Sequence, residues 1–454
     1  MFYRLKQVIL LSVDLIILYF GLIIGVFARN LRILQSDLEG FESPRFWLIT
    51  AAVIIMYVLG LYDVGRAKNN LSFYKKISIS ALAWFTFSVF FFYISPTATI
   101  SPKTTLFLIT VFGFGGISIW RSIYNKYISA NLLQTSVAFV GYNAETKEII
   151  DAILKFPEKG YVLFGVISED QILQEIKSGK TLNELIQING GAHPSLIVVS
   201  DNLSGKTLVK ELFEELYNQV SIRELAEFYE YFFRRVPPFT YSEDWFITNL
   251  NEQNLRIYDR FKILLDYFFA IITGIFFIIT FPLIALLIKI NSSGPILFAQ
   301  KRIGRLGKEF YIYKYRTMKA LDSQGSAEMS GPQYASINDS RITAVGKFLR
   351  KTRLDEIPQF WNILKGEMSI IGPRPERPEF VKLLTEQMPF YRIRHLIKPG
   401  ITGWAQLQAS YFGTIEENLK KLEYDLYYVK NRNFFLDSMI IIKTFGVLIK
   451  FMGR

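Results

Sequence analysis

Cysteine is absent from this sequence, and histidine occurs only as His193 and His395. The first absence excludes disulfides, iron–sulfur clusters, thiolate zinc and cysteine nucleophiles. The second excludes a three-histidine metal site and leaves little room for a Ser-His-Asp triad. Catalysis therefore has to run on carboxylates, hydroxyls, Lys, Arg or a hard, oxygen-bound cation. Charge is also sparse, at 20% of the 454 positions, whereas 50% are hydrophobic and 16% aromatic. That balance excludes global disorder and is too apolar for an ordinary soluble enzyme. The 40 Phe and 25 Tyr point to a bilayer and its interface. Lys and Arg exceed Asp and Glu by 52 to 40, a net charge of +12. Such an excess suits anionic lipid head groups and phosphates. No aromatic–basic module accompanies it, so nucleic acid is not an expected partner.

Four apolar runs fill the first 120 residues: Val8–Ala28, Phe46–Tyr62, Ile77–Ile94 and Thr104–Trp120. Each approaches the roughly 20 residues of a spanning helix. Asp14 is the one charge among them. Lys and Arg set the orientation. With the N-terminus inside, the inner segments hold Arg4, Lys6, Arg66, Lys68, Lys75, Lys76, Arg121 and Lys126. The outer loops hold only Arg29, Arg32, Arg45 and Lys103. Four crossings then return the chain to the cytoplasm. A fifth run, Tyr267–Ile288, contains Pro282 and has basic residues on both flanks. Proline removes a helix hydrogen bond and clashes with the preceding turn. A helix–break–helix over 263–290, entering one leaflet and returning, is the expected geometry, with a kinked full span as the alternative.

Residues 131–230 change character. Ser136–Gly141, Tyr161–Ile167 and Ser195–Ser200 read as strands. Thr146–Phe156, Leu182–Ile188 and Leu203–Gln219 read as helices. The alternation predicts a small parallel, Rossmann-like α/β layer. Its nucleotide motif is degenerate: Gly141-Tyr-Asn-Ala144 follows the first strand instead of G-x-G-x-x-G. Residues 231–255 read as a linker near the membrane surface. Further on, Phe434–Phe451 reads as an amphipathic interfacial helix. His395 reads as a structural hydrogen-bonder, and His193 as a loop residue before Pro194.

The chemistry is concentrated in residues 296–405, where cations surround a pair of carboxylates. Asp355 and Glu356 are adjacent, with Arg350 and Arg353 just before them. Arginine forks match phosphate oxygens and Lys supplies a point charge. Magnesium favours one or two carboxylates plus substrate phosphate oxygens. A positioned, ionised Asp can attack phosphorus and form a covalent intermediate. In Gly372-Pro-Arg-Pro375, two prolines fix the backbone on either side of one Arg and so aim it.

These pieces form a series: Ser293-Gly-Pro295 after the Pro-interrupted helix, Lys314-Tyr-Arg-Thr-Met318, Asp339-Ser-Arg-Ile-Thr343, Leu354-Asp-Glu-Ile-Pro-Gln359, Met368-Ser-Ile-Ile-Gly-Pro-Arg-Pro375 and Lys398-Pro-Gly-Ile-Thr-Gly-Trp-Ala-Gln406. On them, residues 256–454 resemble the bacterial sugar transferases, the monotopic phosphoglycosyl transferases. The hydrophobic N-terminal part resembles the family's long form. The resemblance implies transfer of a sugar-1-phosphate from a UDP-sugar to undecaprenyl phosphate, with release of UMP, in exopolysaccharide, capsule or O-antigen synthesis. It implies Asp355 as the nucleophile, with Glu356 and Asp425 assisting Mg²⁺. It further implies substrate contacts from Lys314, Arg316, Arg341, Arg350, Arg353, Gln359, Pro373, Arg374, Pro375 and Lys398. Serine stands before the helix-breaking proline in many members, where this sequence has Phe281.

The expected architecture is a mixed membrane protein. A four-helix transmembrane bundle (1–130) is followed by the α/β domain (131–230), the linker (231–255) and a C-terminal α/β catalytic domain with the re-entrant helix (256–454). Its expected setting is the bacterial inner membrane, with the catalytic domain facing the cytoplasm and in contact with membrane lipids. Long-form relatives imply self-association as a homodimer. The competing reading, prompted by the large front half, is a catalytically degenerate scaffold for polysaccharide assembly.

Overall fold

The computed structural model describes residues 2–30, 35–62, 69, 71–94, 103–128, 134–167, 194–200, 220–238, 246, 250, 256–320, 339, 341–388, 390–408 and 414–449. The helices expected at Leu182–Ile188 and Leu203–Gln219, the loop residue His193 and much of the expected linker lie outside them. The chain divides after Phe228 into two compact units.

The first unit contains helices α1 (Phe2–Asn30), α2 (Gln35–Val58), α3 (Leu71–Ile94) and α4 (Lys103–Ile123). Small residues let α1 and α4 approach backbone to backbone, as in membrane helix pairs. A Cβ on Gly21 would sit 2.7 Å from the Gly113 Cα, and one on Gly25 2.8 Å from the Ile109 nitrogen. Asp14 on α1 and Arg121 on α4 form a fully buried ion pair, and Arg121 also donates to the Leu61 carbonyl. The Trp84 indole donates to the Leu48 carbonyl at 2.8 Å, tying α3 to α2. Leu5–Arg29, Phe73–Tyr93 and Thr104–Lys126 are long and apolar enough to cross a membrane. The run expected at Phe46–Tyr62 departs from this. It lies mostly on α2, whose apolar stretch among the described residues is Pro44–Val58, and Gly60 adopts a left-handed conformation (φ +74°) just past the helix end.

The same unit holds a parallel sheet of β1 (Thr135–Val140), β2 (Tyr161–Ile167), β3 (Leu196–Val199) and β4 (Ser221–Glu224), in the order β2-β1-β3-β4. Helix α5 (Ala144–Lys155) follows β1. The N-terminus of α5 is occupied by its own chain: the Asn143 Oδ1 accepts from the Thr146 N–H at 2.8 Å and from its hydroxyl at 2.8 Å. A dinucleotide pyrophosphate would need those donors. Helix α6 (Leu225–Phe233) carries the chain out of the sheet.

In the second unit, α7 (Arg256–Asn291) is one helix of 36 residues, with Pro282 inside it. The expected break is not an interruption of the helix. Pro282 forgoes one hydrogen bond, while the Thr280 hydroxyl donates back to the Phe276 carbonyl at 2.8 Å. Packing along one face holds the helix together through this point. Lys262 meets Asp437 at 2.8 Å. The Asp266 carboxylate accepts from the Ser369 hydroxyl (3.0 Å) and the Ile370 N–H (2.9 Å). Ala270 joins a core with Phe310, Ile312, Ile363 and Met368. Phe277 stacks on Tyr315 and packs against Phe360, and Ile284 and Ile288 pack with Tyr315 and Leu349. These positions fall four or seven residues apart, so one stripe of α7 faces the unit over most of its length. The opposite stripe is apolar and open, with Ile278 and Ile279 71% and 72% exposed.

Strands β5 (Leu297–Ile303) and β6 (Glu309–Tyr315) form an antiparallel hairpin after α7. Helix α8 (Ala344–Thr352) leads into a 3-10 helix (Leu354–Gln359) and the short α9 (Phe360–Leu364). Strands β7 (Ser369–Ile371) and β8 (Gly400–Thr402) pair in parallel. Helix α10 (Pro378–Gln387) lies between them in sequence. After β8 come α11 (Trp404–Gln408), α12 (Ile415–Asn431) and α13 (Phe434–Ile449). The last packs Leu436 and Ile440 into a core with Ile371, Trp404 and Tyr428, while Phe434, Phe435 and Phe445 are exposed.

Candidate active site

The acidic doublet sits where two helices meet. Helix α8 starts on Thr343, whose hydroxyl accepts from the Gly346 N–H at 3.0 Å. It ends on Arg353, in the left-handed region at φ +60°. A non-glycine residue there costs about 1–2 kcal/mol; such strain is often concentrated at functional sites. The reversal starts the 3-10 helix with Asp355 and Glu356 in its first turn, where the peptide dipoles favour negative charge. Both residues are buried.

Glu356 is a hub for cations. Its Oε1 accepts from the Lys314 ammonium (3.0 Å) and from the Arg374 guanidinium (2.9 Å). Arg353 approaches Oε2 at 3.5 Å. Burial alone would raise its pKa, but Lys314, Arg374 and Arg353 outweigh burial and hold the carboxyl well below the usual range. Asp355 is the converse. Among the described residues it has no hydrogen-bond or ion-pair partner. Burial first, and then the charge of Glu356, push it up to about 6, against the pull of Lys314, Arg350 and Arg374. The site thus pairs a firmly ionised carboxylate, held by cations through one oxygen, with an unengaged one inside the same cationic wall.

Distant parts of the chain build that wall. Lys314 lies on β6, opposite Phe298. Asn362 acts as an extra strand partner for β6: its amide accepts from the Tyr313 N–H (3.2 Å) and donates to the Tyr311 carbonyl (2.6 Å). Arg350 donates to the Thr317 hydroxyl at 2.9 Å, and its charge acts on Asp355. Arg374 stands on the loop after β7. Two of the sequence motifs prove to be one structure here. The Gly372 N–H donates to the Thr402 carbonyl (2.9 Å), and the Gly400 N–H to the Pro373 carbonyl (3.0 Å). A Cβ on Gly400 would strike the Gly372 nitrogen, and one on Gly372 the Lys398 carbonyl. Only glycine allows this approach.

Several expected contacts lie elsewhere. Arg316 is turned to the end of α7, where it donates to the Ser293 carbonyl and, at 2.8 Å, to that of Ser292; it caps carbonyls that a helix end leaves unpaired. Arg341 forms a fork with Asp339 (2.8 and 2.6 Å). The Lys398 ammonium lies beside Gly366. Gln359 is buried, with its Nε2 unpartnered among the described residues. The Pro375 carbonyl accepts from Arg302 at 3.2 Å. Asp425 is not turned to the doublet either. One of its oxygens takes two hydrogen bonds from Arg394 (3.0 and 2.8 Å). Arg394 also donates to the Arg374 carbonyl at 2.8 Å. Asp425 therefore holds the residue that holds the backbone of Arg374.

Sequence reasoning missed Arg394, Lys421 and Arg302. Lys421 pairs with Glu376 in a buried contact, and Arg302 approaches the same carboxylate at 3.7 Å. The signal available was weak: Lys421 has Glu417 and Asp425 at helical spacing on α12, so nothing local pointed to its partner Glu376, 45 residues away.

Residues 257–451 match the bacterial sugar transferase family. A UDP-N-acetylgalactosamine-undecaprenyl-phosphate N-acetylgalactosaminephosphotransferase of Aeromonas hydrophila is 44% identical over 169 residues, 37% of this chain and 39% of that protein. A UDP-glucose:undecaprenyl-phosphate glucose-1-phosphate transferase of Escherichia coli (strain K12) is 40% identical over 163 residues, 36% of this chain and 34% of that protein. The exopolysaccharide production protein PSS of Rhizobium leguminosarum bv. phaseoli is 38% identical over 177 residues, 38% of this chain and 84% of that protein. The aligned stretch thus spans well under half of the first two relatives and most of the third.

Proposed function

This chain belongs to the bacterial sugar transferase family, and from that membership we propose that it is a phosphoglycosyl transferase moving a sugar-1-phosphate from a UDP-sugar to undecaprenyl phosphate. An Asp355 oxygen attacks the β-phosphorus of the donor. The bond from that phosphorus to the bridging oxygen breaks, and UMP leaves with the oxygen and its electron pair. A phosphate oxygen of the polyprenyl acceptor then attacks the same phosphorus, and the Asp355 carboxylate is released. Lys314, Arg350 and Arg374 neutralise the diphosphate and steady the charge that develops on its oxygens. Asp425 acts on this step only through Arg394, as a positioning residue.

The observation that carries the reading is the contrast within the doublet. Glu356 is already paired with cations, while Asp355 is buried among them without a hydrogen-bond partner in the described residues. A degenerate scaffold has no use for that contrast. Among the described residues Glu356 Oε2 is approached by Arg353 at 3.5 Å and would be the doublet oxygen to hold a Mg²⁺, whereas Asp425 gives one oxygen to Arg394. Bound there, the ion would add to the neutralisation of the diphosphate. The direct test is UMP release by the detergent-solubilised protein given undecaprenyl phosphate, Mg²⁺ and a panel of UDP-sugars. Release with at least one donor is expected; no release with any common donor would favour the scaffold.

The packing of α7 supports a non-crossing course. Ile257–Asn291 is long and apolar enough to cross a membrane, but a crossing would carry the unit packed along its stripe into the bilayer with it. With its other stripe in lipid, α7 would hold the doublet near the head groups, where lipid phosphate meets cytosolic nucleotide. The chain lacks cysteine, so single substitutions at Arg260 and Lys289 can be labelled cleanly. Both are expected to react with an impermeant thiol reagent from the cytoplasmic side only. Labelling from opposite sides would contradict this course.

A further inference from the structure

Residues 229–238 open the second unit, and they dock on α12. Arg235 is 3% exposed and meets the Glu423 carboxylate at 3.0 Å. Its guanidinium lies over the rings of Phe233, Tyr229 and Tyr424, at 4.4, 5.1 and 5.6 Å. Ring faces attract a desolvated cation of this kind. The Tyr229 hydroxyl donates to the same carboxylate at 3.2 Å, and the Val236 N–H donates to the Glu423 carbonyl at 3.0 Å. Glu230 accepts from Lys430 and from Asn431, both at 2.7 Å. Arg234 is in the left-handed region at φ +56°, and its carbonyl accepts from the Trp404 indole at 3.0 Å. Burying a cation is costly unless it is paired, so a segment that only connected two domains would gain nothing from placing Arg235 here.

The face of α12 that takes this segment is the one turned away from the reacting centre. At 3.6 residues per turn, Glu423 and Lys430 point about half a turn away from Lys421 and Asp425. Lys421 pairs with Glu376, and Asp425 holds Arg394, which donates to the Arg374 carbonyl at 2.8 Å. The loop bearing Arg374 is bonded at every carbonyl from Pro373 to Glu376, by Gly400, Arg394, Arg302 and Ile303 in turn. Trp404, the segment's other partner, directly follows β8, which contains Gly400. We propose that residues 229–238 are a positioning element of the reacting centre: Arg235, by clamping Glu423, fixes α12 and through it the backbone of Arg374. The inference rests on the transferase reading above and adds to it a residue remote from the chemistry on which that chemistry depends. A close-packed interior passes a shift on one face of a helix to the other, so loosening Arg235 loosens Arg394 and Glu376.

The experiment uses the full chain in detergent with a UDP-sugar that the wild type turns over, and reads kcat/KM from UMP release. Arg235→Ala and Arg235→Lys are each measured in the wild-type and in the Arg374→Ala background. Arg235→Ala is expected to lower kcat/KM about tenfold in the wild type. In Arg374→Ala the same change should cost less than about twofold, because a residue acting through Arg374 has nothing left to position. Arg235→Lys, which keeps a cation beside Glu423, should recover part of the loss. If Arg235→Ala does not fold, Lys430→Met carries the test, since that side chain is only partly buried and Asn431 still holds Glu230. It should lower kcat/KM about threefold in the wild type and leave Arg374→Ala unchanged. Losses of the same factor in both backgrounds mark a purely structural role and overturn the inference. So does wild-type activity in Arg235→Ala. If the wild type releases UMP and the losses multiply, only this inference falls. If the wild type releases no UMP from any donor, the transferase reading falls with it.

Discussion

Replacing Asp355 with Asn is expected to lower turnover by on the order of ten-thousandfold or more while leaving the fold intact. The amide keeps the shape but carries no charge with which to attack phosphorus. No hydrogen bond to the described residues is lost, because the carboxylate makes none. Stability should move the other way. The folded-state pKa is raised from 3.8 to about 6, so the folded protein binds the extra proton between those values. The native Asp355 therefore contributes a stability loss that develops as pH rises from about 4 through about 6. Asn is free of that loss. At pH 7 the variant should melt at the same temperature or higher, yet be inactive. Turnover within tenfold of wild type would remove Asp355 from the nucleophile's role, and a melting temperature lowered by several degrees would contradict the unpartnered carboxylate.

Glu356→Gln should produce the second-largest effect, by a different route. Lys314 would be left as a buried ammonium without its hydrogen-bonded acid, and Arg374 without its anchor. Breaking a buried pair costs about 3–5 kcal/mol. The side chains of Arg374 and Arg353 are about a third exposed, so the loss here should be nearer about 2 kcal/mol. Activity should fall about a hundredfold or more, because cations aimed at the diphosphate lose their fixed positions. The pH profile adds a sign. In the wild type, kcat/KM should decline as pH drops through about 6, because Asp355 must be ionised to attack. Glu356 is one of the two causes raising that pKa. In Glu356→Gln the acid limb should therefore move to lower pH. An acid limb that stays in place or moves upward would show that the doublet does not act as an electrostatic pair.

Motif spacing carried the site a long way. Asp355, Glu356, Lys314, Arg350 and Arg374 were all readable as a carboxylate pair among cations, and the structure draws them together. Arg316 could not be read in that way, because its partners are helix-end carbonyls 23 and 24 residues earlier. The partner that Asp425 holds, the buried Arg394, lies 31 residues away and was not visible either. The continuity of α7 through Pro282 was hidden for a related reason. Proline's local cost is visible in the sequence, whereas the stripe of contacts on both sides of it is tertiary. In the membrane region, hydropathy identified Leu5–Arg29, Phe73–Tyr93 and Thr104–Lys126, and the run around Trp47 lies on α2.

The most direct measurement is intact-protein mass after brief incubation with a productive UDP-sugar and Mg²⁺, without polyprenyl phosphate. The account requires a mass gain equal to one sugar phosphate, located on the peptide containing Asp355, absent from Asp355→Asn and discharged when polyprenyl phosphate is added. An adduct on another residue, or turnover with no adduct that forms and discharges at a competent rate, would contradict it.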